Sequence, residues 1–195
     1  MNFTPNPVST SWNAAVVNTD LRRISLHEAG HAINALALGC TYANYFVSPT
    51  PPPLDPSLDH AFVGQCHYYG CPGKLALAAL GYSGVVAVVL DEDFDAAAES
   101  IRSYLGHEFI LSPTDQALTE TLHPSWQLRA IERSLDLLRE NWKNVLGAAW
   151  DVAHYGNIYL HRDSINGPWR HYLEERGHDD FSASRVLEQF LAGLK

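Results

Sequence analysis

Two histidines and a glutamate fall within one helical turn of this chain, at His27-Glu28-Ala29-Gly30-His31. Residues four apart on a helix lie on one face, a turn apart, so His27 and His31 can direct two imidazoles at a single metal ion. Glu28 sits one position round the helix, within reach of a water on that ion. The spacing is H-E-x-x-H: two nitrogen ligands, one carboxylate base and a coordination position left open. Its chemistry is hydrolysis by a metal-activated water. The same residues also fit two buried, hydrogen-bonded histidines on an apolar helix face. Against that, the rest of the helix is rich in Ala, Leu and Ile, where three ionisable groups carry a burial cost unless a cation compensates them.

A catalytic zinc takes three protein ligands and a water, so a third ligand is needed from later in the chain. The longer pattern H-E-x-x-H-x-x-G-x-x-H is not met, because Asn34 and Ala37 stand at its glycine and third-histidine positions. Two carboxylates qualify. Glu99 lies on a downstream helical pattern, and Asp115 lies at a loop-to-helix junction where a side chain can be aimed inward. These residues alone leave the choice open. Cys66, His67 and Cys71 cluster in sequence but match no zinc-finger spacing and would need Cys40 as a fourth ligand. They read as hairpin side chains.

The elements that must position these groups can be read from pattern. Residues 1–19, with Pro5, Pro7 and many small polar residues, read as a flexible arm. Asp20 is placed to cap the motif helix and Gly39 to stop it. Gly30 inside that helix suggests close backbone packing. Residues 41–47 and 61–69 read as two strands paired in a hairpin across the proline-rich loop Pro49–Pro56. Gly70-Cys71-Pro72-Gly73 then makes a turn. Residues 75–90 form an apolar helix, 91–104 a further helical pattern, and 106–113 a loop leading to Asp115 and a helix through Thr121. Residues 125–154 are apolar at helical spacing, as one long helix or two stacked ones. Residues 157–165 read as a turn and a helix start, and 168–176 and 184–194 as terminal amphipathic helices. The expected fold class is α+β, mainly α-helical, with a small hairpin beside the motif helix. The expected organisation is one domain over residues 20–195.

Composition narrows the functional classes. A net charge of −9 with no basic block argues against a phosphate-tracking nucleic-acid interface. Three cysteines at irregular spacing make no disulfide framework and suit a reducing compartment, here expected to be the cytoplasm. The N-terminus has neither a basic start nor an apolar run, so no secretory signal is read there. The apolar stretch 75–90 would span about 24 Å as a helix, short of the ~30 Å hydrocarbon core, so no membrane anchor is expected.

His27-Glu28-Ala29-Gly30-His31-Ala32 resembles the H-E-A-G-H-A of the peptidase domain of FtsH-type ATP-dependent zinc proteases. The downstream order is similar too: a hairpin, a small-residue helix at Leu80-Gly81-Tyr82-Ser83-Gly84-Val85-Val86, and a junction at Ser112-Pro113-Thr114-Asp115. Arg139-Glu140-Asn141-Trp142 through Leu160 and Ile165 resembles the family's late helices. The likeness spans residues 21–166, and only its first six residues are highly specific. It differs at Ala87-Val88-Val89, where the family often has an acidic pair, and at Pro113, where it has glycine. The resemblance implies His27, His31 and Asp115 as ligands of one zinc ion and Glu28 as general base. The likeness is to the peptidase domain, without the ATPase module. The expected activity is therefore that of a stand-alone zinc endopeptidase acting on peptides or flexible protein segments. The alternative is a regulatory or interaction protein that keeps the fold with little or no turnover, and a hydrolase of small non-peptide amides is a third reading. Tyr68, Tyr69, His67 and His123 are candidate oxyanion donors. The family's rings make a homo-oligomer an open expectation.

Overall fold

In a computed structural model, residues 14–49, 62–70, 73–104, 111–120 and 122–166 are described. The segments read as an N-terminal coil before Ala14, the proline-rich loop after Pro49, the loop 106–110 and the helices after residue 168 lie outside them. So do Cys71 and Pro72.

The first helix, α1 (Ala14–Ala37), is the axis of the structure. From Ser25 to Leu36 only His27 escapes full burial, because helices and sheet pack round it on several sides. Asp20 lies inside the helix and is not its cap, and Ala14–Thr19 are helical rather than part of an arm. The Asp20 carboxylate instead accepts the Phe62 N–H at 3.1 Å, tying the helix to the start of a strand. Gly39 does stop the helix. It adopts φ 103°, and Cys40 N–H donates to Ala35 O at 2.9 Å while Gly39 N–H donates to Leu36 O at 3.1 Å. That paired closure needs a left-handed residue, which glycine supplies without steric cost.

Two strands come next, β1 (Tyr42–Pro49) and β2 (Phe62–Tyr69), antiparallel with Tyr42 opposite Tyr69 and Pro49 opposite Phe62. Strict alternation buries Ala43, Tyr45 and Val47 of β1 against the helices. Phe62, Gly64, Cys66 and Tyr68 line the same side of β2, while Val63, Gln65, His67 and Tyr69 face outward. Helix α2 (Lys74–Glu92) is buried along most of its length and packs on α1. By length and composition it could cross a membrane, but 67% of its most apolar window is buried inside the protein, as in a core helix. The helical pattern expected over 91–104 is split. Asp93 Oδ1 accepts the N–H groups of Asp95 and Ala96 at 3.2 and 2.9 Å, turning the chain before α3 (Ala97–Tyr104).

After α4 (Pro113–Thr119) and a 3-10 turn at Pro124–Trp126, two helices occupy the long periodic stretch. These are α5 (Gln127–Glu140) and α6 (Trp142–Tyr155), separated at Asn141, whose side-chain amide donates to Leu137 O at 2.9 Å. α5 packs on α2 and α6 on α1. The expected turn and helix start at 157–165 is instead a third strand, β3 (Asn157–His161), and a short helix, α7 (Asp163–Asn166). β3 pairs antiparallel with β1, giving the order β2-β1-β3. A five-residue strand whose partner lies more than a hundred residues earlier has too little local pattern to distinguish it from a turn. The architecture is thus α+β: mainly helical, with a small three-stranded antiparallel sheet.

Two interactions set how closely α1 and α2 approach. The Arg22 guanidinium grips Asp91 with two hydrogen bonds, at 2.9 and 2.6 Å. Deeper in, a β-carbon on Gly30 would lie 2.6 Å from Ala87 Cβ and 2.8 Å from Ser83 O. Backbone packing is therefore the reason for a glycine here. Gly30→Ala should lower the free energy of urea unfolding by about 1–3 kcal/mol. Adding Ala87→Gly should restore only part of that, since the Ser83 carbonyl remains in the way. An unchanged unfolding midpoint for Gly30→Ala would show that the helices separate freely.

Candidate metal centre

The packing of α1 against α2 and of α2 against α4 brings three donors to one point. His27 and His31, one turn apart on α1, hold their Nε2 atoms 3.1 Å from each other, with ring planes 72° apart. Asp115, on α4, reaches both: Oδ1 is 3.3 Å from His31 Nε2, and Oδ2 is 3.5 Å from His27 Nε2. Among the described residues this is the one group of three or more His, Cys, Asp or Glu side chains placed to hold a metal ion. The distances fit zinc. A tetrahedral ion with ligands at about 2.0–2.1 Å has ligand–ligand edges of about 3.3–3.4 Å. The charges fit too, because no Lys or Arg pairs with Asp115 or Glu28 among the described residues.

Asp115 is not a helix cap. Ser112 caps α4: its Oγ accepts the Asp115 N–H at 3.1 Å and donates to Asp115 Oδ2 at 2.8 Å. Pro113 occupies the first helical position, where its missing N–H costs nothing. Asp115 is therefore in the first turn of α4 and points back to α1. Burial opposes its ionisation, but His27, His31 and Ser112 outweigh that and hold the carboxyl well below the ordinary aspartate range.

Glu28 is buried next to the cluster, with 6% of its surface exposed. Its pKa is pushed up to about 7, chiefly by burial; His27 opposes the rise and Asp115 adds to it. A cation held by the three donors would favour the ionised form.

Glycines on neighbouring elements make the space. A β-carbon on Gly84 of α2 would clash with the His27 ring, and one on Gly64 of β2 would lie 2.6 Å from Glu28 Oε1. On Gly81 of α2 it would meet the Asp115 carbonyl at 2.6 Å. Glu28, His27 and the Asp115 backbone thus each lie against a residue that has no side chain. Of the three candidate donors His27 is the most exposed, with 22% of its side chain open to solvent, against 6% for His31 and 9% for Asp115.

The remaining candidates separate cleanly. Glu99 is exposed on α3 and outside the cluster. Cys66 and His67 are neighbours on β2 and so face opposite sides of the sheet, which prevents them from sharing an ion. Burial pushes the Cys66 thiol well up, with Glu28 and Asp115 adding to it, so it faces the site as a neutral group. Tyr69 points outward with His67. His123 is exposed, and its Nδ1 is engaged by Ser125 Oγ at 2.8 Å. Tyr68 is on the inner face of β2. Ser112, Gly64 and Gly84 shape the site in ways that spacing alone did not assign to them. The signals were a serine three residues before an aspartate at a helix start, and a glycine inside a strand pattern.

No family model, curated protein or solved structure matches this chain. The site rests on its own geometry.

Gly84→Ala should displace the His27 ring and weaken zinc binding about tenfold or more, measured by competition with a chromophoric chelator. Far-UV circular dichroism should stay as in the parent chain. Unchanged zinc affinity in that variant would mean that His27 is not a ligand.

Proposed function

We propose that this chain is a zinc endopeptidase, similar to the peptidase domain of FtsH-type proteases, that hydrolyses peptide bonds in flexible or unfolded segments. The observation that carries the reading is the convergence of His27 Nε2, His31 Nε2 and the Asp115 carboxylate at near-tetrahedral edge lengths beside a buried Glu28. A purely structural metal has no use for that fourth group.

His27, His31 and Asp115 would hold the zinc ion. When bound, zinc makes water nucleophilic near neutral pH and polarises a carbonyl oxygen. Glu28 accepts a proton from the attacking water as its oxygen bonds to the peptide carbon. It then delivers that proton to the amide nitrogen as the C–N bond breaks. The balance is one water consumed, one carboxylate and one amine released, and Glu28 returned to its starting state.

β2 supports the proposed substrate. Among the described residues it pairs as a strand only with β1, at the margin of the sheet. Gly64 on that strand touches Glu28. A peptide added along the β2 edge would be held by main-chain hydrogen bonds and would pass the base. Such a site takes an extended segment and excludes a folded domain. The free thiol of Cys66 suits a reducing compartment.

Glu28→Gln should cut hydrolysis of a disordered polypeptide by about 10²–10⁴-fold while leaving zinc affinity within a few-fold of the parent. A tightly folded domain should survive the active protein. Equal cleavage by the Glu28→Gln chain would exclude Glu28 as base. A zinc-loaded parent that cleaves no peptide would favour the binding-protein alternative.

A further inference from the structure

The two oxygens of the Asp115 carboxylate are not equivalent. Oδ2 receives the Ser112 hydroxyl proton at 2.8 Å and lies 3.5 Å from His27 Nε2. Oδ1 lies 3.3 Å from His31 Nε2 and, among the described residues, receives no hydroxyl. The Ser112 hydroxyl is itself fixed, because the same Oγ accepts the Asp115 N–H at 3.1 Å. One side chain therefore locks both the backbone and the carboxylate plane of a residue at the cluster. From this geometry we propose that Ser112 is a positioning residue that keeps Asp115 a one-oxygen ligand, engaging Oδ2 and presenting Oδ1 to the metal.

The inference rests on the metal-site reading and adds how the site stays open. A carboxylate bound through one oxygen, with two imidazoles, leaves a tetrahedral ion one position for water. Bound through both oxygens, it would crowd that position and raise the coordination number above four. A hydrogen bond to one carboxylate oxygen withdraws its lone pair from the metal, so the outer partner decides how many oxygens coordinate. Ser112 is exposed, so its hydroxyl gains no burial from this arrangement. The hydrogen bonds are what fix it.

The test must separate the donor role from the capping role. Glycine is tolerated at a helix cap with a loss of only a few tenths of a kcal/mol relative to serine, but has no hydroxyl. Threonine restores both functions. Co²⁺ and Zn²⁺ are titrated into the parent chain, Ser112→Gly and Ser112→Thr, reading affinity and the visible absorption of bound Co²⁺, which is intense at four-coordinate sites and weak at six-coordinate ones.

The parent and Ser112→Thr should give the intense four-coordinate spectrum. Ser112→Gly should bind both ions about 10–100-fold more weakly and give a weaker band of higher coordination number. A Ser112→Gly chain that matches the parent in both affinity and spectrum would overturn the role of Ser112 and leave the metal site standing. Failure of the parent to bind either ion would overturn the metal-site reading itself.

Discussion

The carboxylate of Asp115, wedged between two imidazoles and largely buried, is the interaction on which the rest depends. Its two neighbours come from a helix more than eighty residues earlier in the chain. Nothing local favours the arrangement. An anion there loses hydration, and Glu28 adds a second carboxyl to the same space. The fold tolerates this because three helices approach closely enough for a single cation to meet all the donors, and the approach is made by leaving side chains out. Gly30 lets α1 meet α2, Gly81 lets α2 meet α4, and Gly84 leaves room for the His27 ring.

The polar struts of the core serve the same end. Asn34, one turn beyond His31, donates to Ser83 and to Ser134, the latter at 3.2 Å. Ser83 donates its own proton to Ala79 O at 2.8 Å. That small network joins α1, α2 and α5 beneath the site with hydrogen bonds that have direction, which aliphatic contacts lack. On the other side of α1, Tyr45 of the central strand donates to Ala148 O of α6 at 3.0 Å. This binds the sheet to the helical layer. The axial helix is thus held from both sides, and its two histidines inherit a fixed orientation.

How much the sequence disclosed depends on the range of the forces involved. The H-E-x-x-H turn, the stop at Gly39, the hairpin and the apolar helix are local patterns, and each is found where its period places it. The choice between Glu99 and Asp115 is a tertiary matter. Spacing left it open, the family resemblance favoured Asp115, and the chain path puts Asp115 in the cluster and Glu99 in solvent. β3 went unread because five residues carry little alternation and their partner is remote. Asp20 misled because a capping residue type also serves as an acceptor for a distant strand. The glycines at the site were visible as letters, but their purpose emerges only once the ring or carboxyl they accommodate is in place.

Zinc K-edge X-ray absorption on the metal-loaded chain tests the central claim most directly. Two imidazole nitrogens and two oxygen scatterers at about 2.0–2.1 Å, with no sulfur, is the result the proposed zinc site predicts. A sulfur shell near 2.3 Å, which would bring Cys66 or Cys40 onto the ion, would contradict it. So would a coordination shell lacking imidazole.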